Sequence, residues 1–146
     1  MDIRPITSEE PLWFLTMDYA NQCSWSAGPI LAQLMQERAF TDWERIFVAT
    51  EGGDIAGYCT LAKEDCIPNV AYTPFIGFVF VDEDYRGQHL SGQLINCALR
   101  YAKSLGFVRV YLVSAEKGLY EKYGFVKLED ARDPLGREEQ IFSINI

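Results

Sequence analysis

The chain predicts an α/β domain built on a mixed sheet, and three stretches carry that expectation. Phe75-Ile76-Gly77-Phe78-Val79-Phe80-Val81 is apolar on both faces, as a central strand covered on two sides has to be. Leu90, Leu94, Ala98, Tyr101 and Leu105 recur at helical spacing, and residues 108–113 then read as a strand. Residues 75–113 are thus strand, crossover helix, strand, which makes the two strands parallel neighbours. Residues 45–51 and 54–61 are strand-like runs on either side of Gly52-Gly53, and glycines that accept positive φ mark a hairpin.

The remaining elements follow in order. Residues 3–6 make a short first strand. Ser8-Glu9-Glu10-Pro11 starts a helix, with Ser8 placed to cap it and Pro11 in the first turn, where a missing N–H does no harm. Its apolar stripe is Leu12, Leu15, Tyr19 and Ala20. A break over residues 24–29 precedes a second helix, with Ile30, Leu31, Leu34 and Met35 as the stripe. Residues 63–74 are polar and turn-rich, and Pro74, which has no N–H for a ladder, stands before the paired part of the central strand. Gly106 ends the long helix. Residues 116–123 form a short helix stopped by Gly124, and residues 125–128 and 140–146 are the last two strands. The second of these alternates Phe142, Ile144 and Ile146 against Ser143 and Asn145. The order is β-α-α-β-β-β-α-β-α-β-β. No repeat, low-complexity tract or Gly/Ser linker interrupts it, so residues 1–146 read as one domain.

Composition narrows the function. With 49% hydrophobic residues the chain has the apolar content to bury a core, which excludes a disordered tail. A net charge of -8 with no basic stripe argues against a nucleic-acid partner. Cys23, Cys59, Cys66 and Cys97 form no CxxC pair, and His89 is the single histidine, so no metal site is expected and the thiols fit a reducing cytoplasm. The N-terminus does not resemble a signal peptide, and no apolar run approaches the ~18 residues of a membrane helix. The expectation is a soluble cytoplasmic protein with no membrane partner, and with a homodimer left open.

The chemistry concentrates after the central strand. Asp82-Glu83-Asp84-Tyr85-Arg86-Gly87-Gln88-His89-Leu90-Ser91-Gly92 runs from that strand into the long helix. The first turn of a helix has unpaired N–H groups and partial positive charge, to which Arg86 adds a full one, so a pyrophosphate suits the place. An ordinary βα turn with a surface arginine is the plainer reading of the same residues.

Residues 81–88, followed by the long helix, resemble the central motif of the GNAT N-acetyltransferase family. Gly118-Leu119-Tyr120-Glu121-Lys122-Tyr123-Gly124-Phe125 is similar to that family's "LYEK.GF" segment, at the family's separation of one helix and one strand. The likeness is strong over residues 75–128 and continues in element order toward the N-terminus. It implies a GNAT-type, mostly antiparallel sheet with a central parallel pair. It also implies an acetyl-CoA-dependent N-acetyltransferase, in which a small-molecule or peptide amine attacks directly within a ternary complex.

The resemblance carries site residues with it. In the family, an Arg/Gln-x-x-Gly-x-Gly/Ala loop grips the pyrophosphate of acetyl-CoA, the acyl donor. Arg86, Gly87 and Gln88 match its first three positions, His89 and Ser91 stand where glycine and a small residue are usual, and Leu90 and Gly92 complete the stretch. Ser91 is able to donate to a phosphate oxygen, whereas the His89 side chain has to point away. A splayed strand end at Phe80 and Val81 would hold the pantetheine arm and offer an N–H to the oxyanion. Tyr120 matches the tyrosine that protonates the departing thiolate, the two groups lying within roughly two pKa units; a core tyrosine is its plain reading. The asparagine common before this helix is absent, leaving Ser114 or a shorter turn. The central strand has no acid, so Glu64 and Asp65 in the preceding loop are the candidate bases. Glu64, Asp65, Glu129, Asp130 and Asp133, expected in loops near the strand ends, favour a cationic acceptor. The alternative is a non-catalytic CoA-binding or partner-binding module of the same fold, which His89 and the missing strand carboxylate would favour.

Overall fold

The computed structural model describes all 146 residues. The chain forms β1 (Asp2–Ile6), α1 (Pro11–Gln22), α2 (Gly28–Gln36), β2 (Arg45–Glu51), β3 (Asp54–Ala62), β4 (Phe75–Val81), α3 (Leu90–Ser104), β5 (Arg109–Ser114), β6 (Val126–Arg132) and β7 (Glu138–Asn145). The seven strands make one sheet in the order β1-β2-β3-β4-β5-β7-β6. All neighbours are antiparallel except β4 and β5, the pair joined through α3. The mixed sheet with its parallel pair is therefore as expected.

The local signals explain most of the elements. Gly52 and Gly53 both take positive φ, +58° and +91°, at the tip of the β2–β3 hairpin. Pro74 precedes β4 and gives only its carbonyl, which accepts from the Tyr111 N–H at 2.9 Å. Gly106, at φ +96°, donates to Lys103, and Phe107 donates to Ala102; this pair of bonds closes α3 on its last free carbonyls.

Several expectations are corrected. Ser8 does not cap α1. Glu10 stands at that position, its carboxylate accepting from the Thr7 N–H at 2.9 Å and pairing with Arg4. The buried face of α1 is Trp13, Thr16 and Ala20, with Leu15 59% exposed, because the bulky indole claims the sheet and turns the helix. On α2 the buried residues are Gly28, Leu31, Ala32 and Met35, and Ile30 faces solvent. Residues 116–123 are not a helix: the Ser114 hydroxyl takes the Glu116 N–H at 3.0 Å and Gly118 turns left-handed, so only a 3₁₀ turn, Tyr120–Tyr123, survives. A further 3₁₀ turn, Glu83–Tyr85, follows β4. In the last strand Phe142, Ile144 and Ile146 share the α3 face as expected, and Ser143 on the opposite face is buried as well.

Packing divides by sheet face. Ile76, Leu94, Ala98, Leu112, Tyr120 and Phe142 form the core under α3, with Val79 and Val81 against it. Ile6, Trp13, Leu31, Tyr58 and Phe80 pack under α1 and α2, with Trp25 and Phe78 alongside. A smaller group of Ile67, Phe75, Tyr111 and Ile141 lies beneath the 63–74 loop.

Candidate active site

A bulge in β4 makes the site. Thr60 pairs with Gly77 and Tyr58 with Phe80, so Phe78 and Val79 together oppose Cys59, and Phe78 takes φ +48°. A positive φ at a bulky residue is strained and persists only where the surroundings over-determine it. The extra residue also reverses the alternation of faces. Ile76, Val79 and Val81 belong to the α3 side, while Phe78 and Phe80 belong to the α1–α2 side. Bulges bend the strand that carries them, and β4 keeps only two pairs with β5, Phe75 to Tyr111 and Ile76 to Leu112. Beyond Ile76 the strands part around a cleft of about 870 Å³, lined by Gly77–Val81 of β4, Leu112–Ser114 of β5 and side chains from both faces. The divergence thus starts ahead of Phe80 and Val81, both of which still pair with β3 and line the cleft.

At one end stands the start of α3. Arg86 lines the cleft, its Nε donating to the Val81 carbonyl at 3.1 Å and its guanidinium 5.9 Å from the Phe80 ring centre. Gly87 takes φ +83° and His89 takes φ +58°, a left-handed conformation natural to glycine and tolerated by histidine. His89 and Gln88 are exposed and Leu90 is buried beneath the turn. Ser91 lines the cleft with its hydroxyl 2.6 Å from that of Tyr123, and Gly92 permits this contact, since a Cβ there would stand 3.0 Å from the Tyr123 ring. The turn before α3 is braced from α1, where the Tyr19 hydroxyl donates to Asp82 at 2.5 Å.

Tyr120 forms the α3-side wall. Its ring meets those of Tyr123, Phe125 and Phe142 at centroid distances of 6.1–6.3 Å, and it lines the cleft. Burial, followed by the Glu116 carboxylate, pushes its hydroxyl up to about 12. The phenol therefore stays protonated at neutral pH, further from a free thiol than the two-unit gap expected from ordinary values. A thiolate expelled into the same poorly solvated cleft is raised by the same effect, which narrows the gap again. Ser114 also lines the cleft, but its hydroxyl is engaged in the turn at Glu116.

The carboxylates lie on the opposite face. Asp65 leans over Gly77: a Cβ at that glycine would stand 2.7 Å from Asp65 Oδ2 and 3.3 Å from Thr60 Oγ1. Its other oxygen accepts from the Cys66 N–H at 2.6 Å, and burial raises the carboxyl above the usual range. Glu64 is exposed, and neither it nor Asp65 lines the cleft; Asp65 reaches it only across Gly77. Glu139 of β7 does line it, and its carboxyl is raised by burial, then by Asp133. Of the other acids, Glu129 and Asp130 lie in β6 rather than in loops. Glu129 accepts from the Tyr72 hydroxyl, Asp130 pairs with Lys127, and Asp133 pairs with Arg137. The cleft acids Glu83, Glu116 and Glu139, like Asp65, have no such cationic partner.

Residues 23–29 were expected only to help shape the acceptor surface, and Trp25, Gly77 and Glu139 were not singled out as site residues. Trp25 lies in the α1–α2 connection and looked like loop. Gly77 in a strand was itself a signal, since such glycines mark bulges or close approach. Glu139 carried no signal, because its place depends on the pairing of β7 with β5.

Comparison with known proteins agrees with this geometry. The family model of the acetyltransferase (GNAT) family matches residues 11–125. An aminoglycoside 6'-N-acetyltransferase from Enterococcus faecium superposes with a TM-score of 0.75 at 15% identity, over 99% of this chain and 97% of that one. An aminoglycoside 6'-N-acetyltransferase complexed with coenzyme A gives 0.72 at 14%, over 99% and 97%. A GNAT family acetyltransferase from Elizabethkingia anophelis with acetyl-CoA bound gives 0.69 at 16%, over 99% and 97%. No curated protein sequence matches the chain. No helix is long and apolar enough to cross a membrane.

Proposed function

Because the chain belongs to the acetyltransferase (GNAT) family, we propose that it moves an acetyl group from acetyl-CoA to a primary amine of a small molecule or peptide, by direct attack in a ternary complex. The observation that carries this reading is the cleft through the sheet, with Tyr120 on the α3 face and Asp65 behind Gly77 on the other. Arg86 and the first turn of α3, from His89 through Ser91, hold the pyrophosphate end, and Phe80 and Val81 flank the arm. Main-chain groups freed at the bulge are placed to donate to the thioester oxygen as it gains charge. Asp65 takes a proton from the bound ammonium, directly or through water, and the neutral amine then forms the C–N bond, its second proton passing to water as the amide is completed. The C–S bond breaks, and Tyr120 gives its proton to the thiolate and regains one from solvent. A cytoplasmic setting fits the four unpaired thiols.

The unpaired carboxylates Asp65, Glu116 and Glu139 favour an acceptor that arrives as a cation. Turnover of acetyl-CoA against a panel of polyamines, aminoglycosides, lysine-type amines and anionic amino acids tests both points. Preference for the cationic amines is expected. Turnover confined to anionic acceptors would remove the charge argument, and none at all would leave the CoA-binding-module reading.

Binding of the donor is tested separately. Acetyl-CoA at about 100 times its Kd should stabilise the fold by about 2.7 kcal/mol, a melting shift of roughly 5–10 °C for a domain of this size. Arg86→Ala should diminish the shift. His89→Gly should preserve it, because the left-handed backbone at that position suits glycine; relief of ~1 kcal/mol of strain is offset by the greater freedom of the unfolded chain. Loss of the shift in His89→Gly would mean that the imidazole itself contacts the donor.

A further inference from the structure

We propose that Trp25 sets the length of the acyl group that the cleft accepts, admitting acetyl and excluding longer chains. The inference rests on the reading above, that the cleft holds an acyl-CoA with its thioester at the β4 bulge. A thioester brought along Val79 and Val81 on the α3 side reaches the bulge, where consecutive residues, Gly77 and Phe78, turn to the other face. What stands beyond that gap limits how far an acyl chain extends.

Two groups stand there. On one side the Asp65 carboxylate occupies the space over Gly77, and methylenes pushed against it would strip water from a charge. On the other side is the Trp25 indole. It stacks on Phe80 with centroids 5.6 Å apart and planes 3° apart, and it meets Phe78 nearly edge-on at 6.3 Å and 73°. Tyr58 lies behind it at 6.5 Å. Such pairs hold an aromatic ring in a defined plane.

The backbone holds the indole as firmly. The Trp25 carbonyl accepts from the Gly28 N–H at 3.0 Å. A Cβ on Gly28 would stand 2.2 Å from the Ala20 carbonyl oxygen and 2.6 Å from Cys23 Sγ, so α1 and α2 meet with no slack. Ser24 and Trp25 are also the only residues of the α1–α2 connection that line the cleft, and serine is too small to act as a wall. The chemistry does not change with chain length: the C–N bond forms, the C–S bond breaks, and the protons pass as described above. Only the fit of the carbon chain against the indole differs.

Calorimetric affinities for acetyl-, propionyl-, butyryl- and hexanoyl-CoA test the proposal without an acceptor. The wild-type protein should bind butyryl-CoA at least about 10-fold more weakly than acetyl-CoA, the scale on which a close-fitting pocket discriminates. Trp25→Ala should bring the two together, a shift in their ratio of about 10–100-fold. Trp25→Phe, which keeps a ring against Phe80, should move the limit by one or two carbons, and its series decides the matter if the alanine variant does not fold. Equal wild-type affinity for acetyl- and butyryl-CoA would overturn the proposal, as would variant series that run parallel to the wild type. In both of those cases acyl-CoA still binds, so the proposed function stands. A wild-type protein that binds neither CoA nor acetyl-CoA removes both.

Discussion

Replacing Tyr120 by phenylalanine should slow acetyl transfer by about 10²–10⁴-fold, the usual worth of a positioned acid. The fold and the affinity for CoA should hardly change. The ring supplies the packing against Phe125 and Phe142, and the variant keeps the ring. No hydrogen bond contributes to the raised pKa of the hydroxyl, so its removal leaves no protein partner unsatisfied. A fall in kcat with an unchanged CoA Kd assigns the hydroxyl to the transition state. Wild-type turnover accompanied by a lower melting temperature would instead make Tyr120 a structural residue.

Asp65→Asn should cost a similar factor, about 10²–10⁴, and should also remove a limb of the pH profile. A base works deprotonated, so kcat/KM of the wild type rises with pH through the raised pKa of Asp65. In the asparagine variant that limb should vanish; its survival would move the base elsewhere, with Glu139 first in line. Stability should respond in the opposite sense. A carboxyl whose pKa is higher folded than unfolded binds more protons when folded, so stability falls as pH rises between the two values. Asp65→Asn takes away that penalty while its oxygen can still accept from Cys66, and the melting temperature at neutral pH should rise. Gly77→Ala offers a second route to the same loss, because its methyl would collide with Oδ2 without removing the acid.

What was legible in the sequence was whatever short-range chemistry dictates. Gly52-Gly53, Gly106, the doubly apolar Phe75–Val81 and the stripe of α3 each announce an element whatever surrounds it. The loop from Arg86 and the tyrosine at 120 were legible as motifs. The buried face of α1 was not, because Trp13 and Leu15 are equally apolar and only the sheet decides between them. The helix expected over residues 116–123 failed because Ser114 and Gly118 offered the backbone other partners and another conformation. The arrival of Glu139 at the cleft depends on register between distant strands, which no window of residues records.

The same bulge divides the molecule mechanically. A four-stranded half, β1 to β4, and a three-stranded half, β5, β7 and β6, meet along a seam of two residue pairs at one end. Past that seam no ladder spans the gap, so widening the cleft breaks none of the sheet's hydrogen bonds. Beyond the seam the halves are joined through side chains, chiefly Leu112, Tyr120 and Phe142 of one half packed with Ile76 of the other against Leu94 and Ala98 of α3, with the Tyr72–Glu129 and Ser91–Tyr123 hydroxyl contacts beside them. The helix acts as a spring across an open book, and the reach between the pages is set by how those few apolar groups pack rather than by the geometry of a sheet.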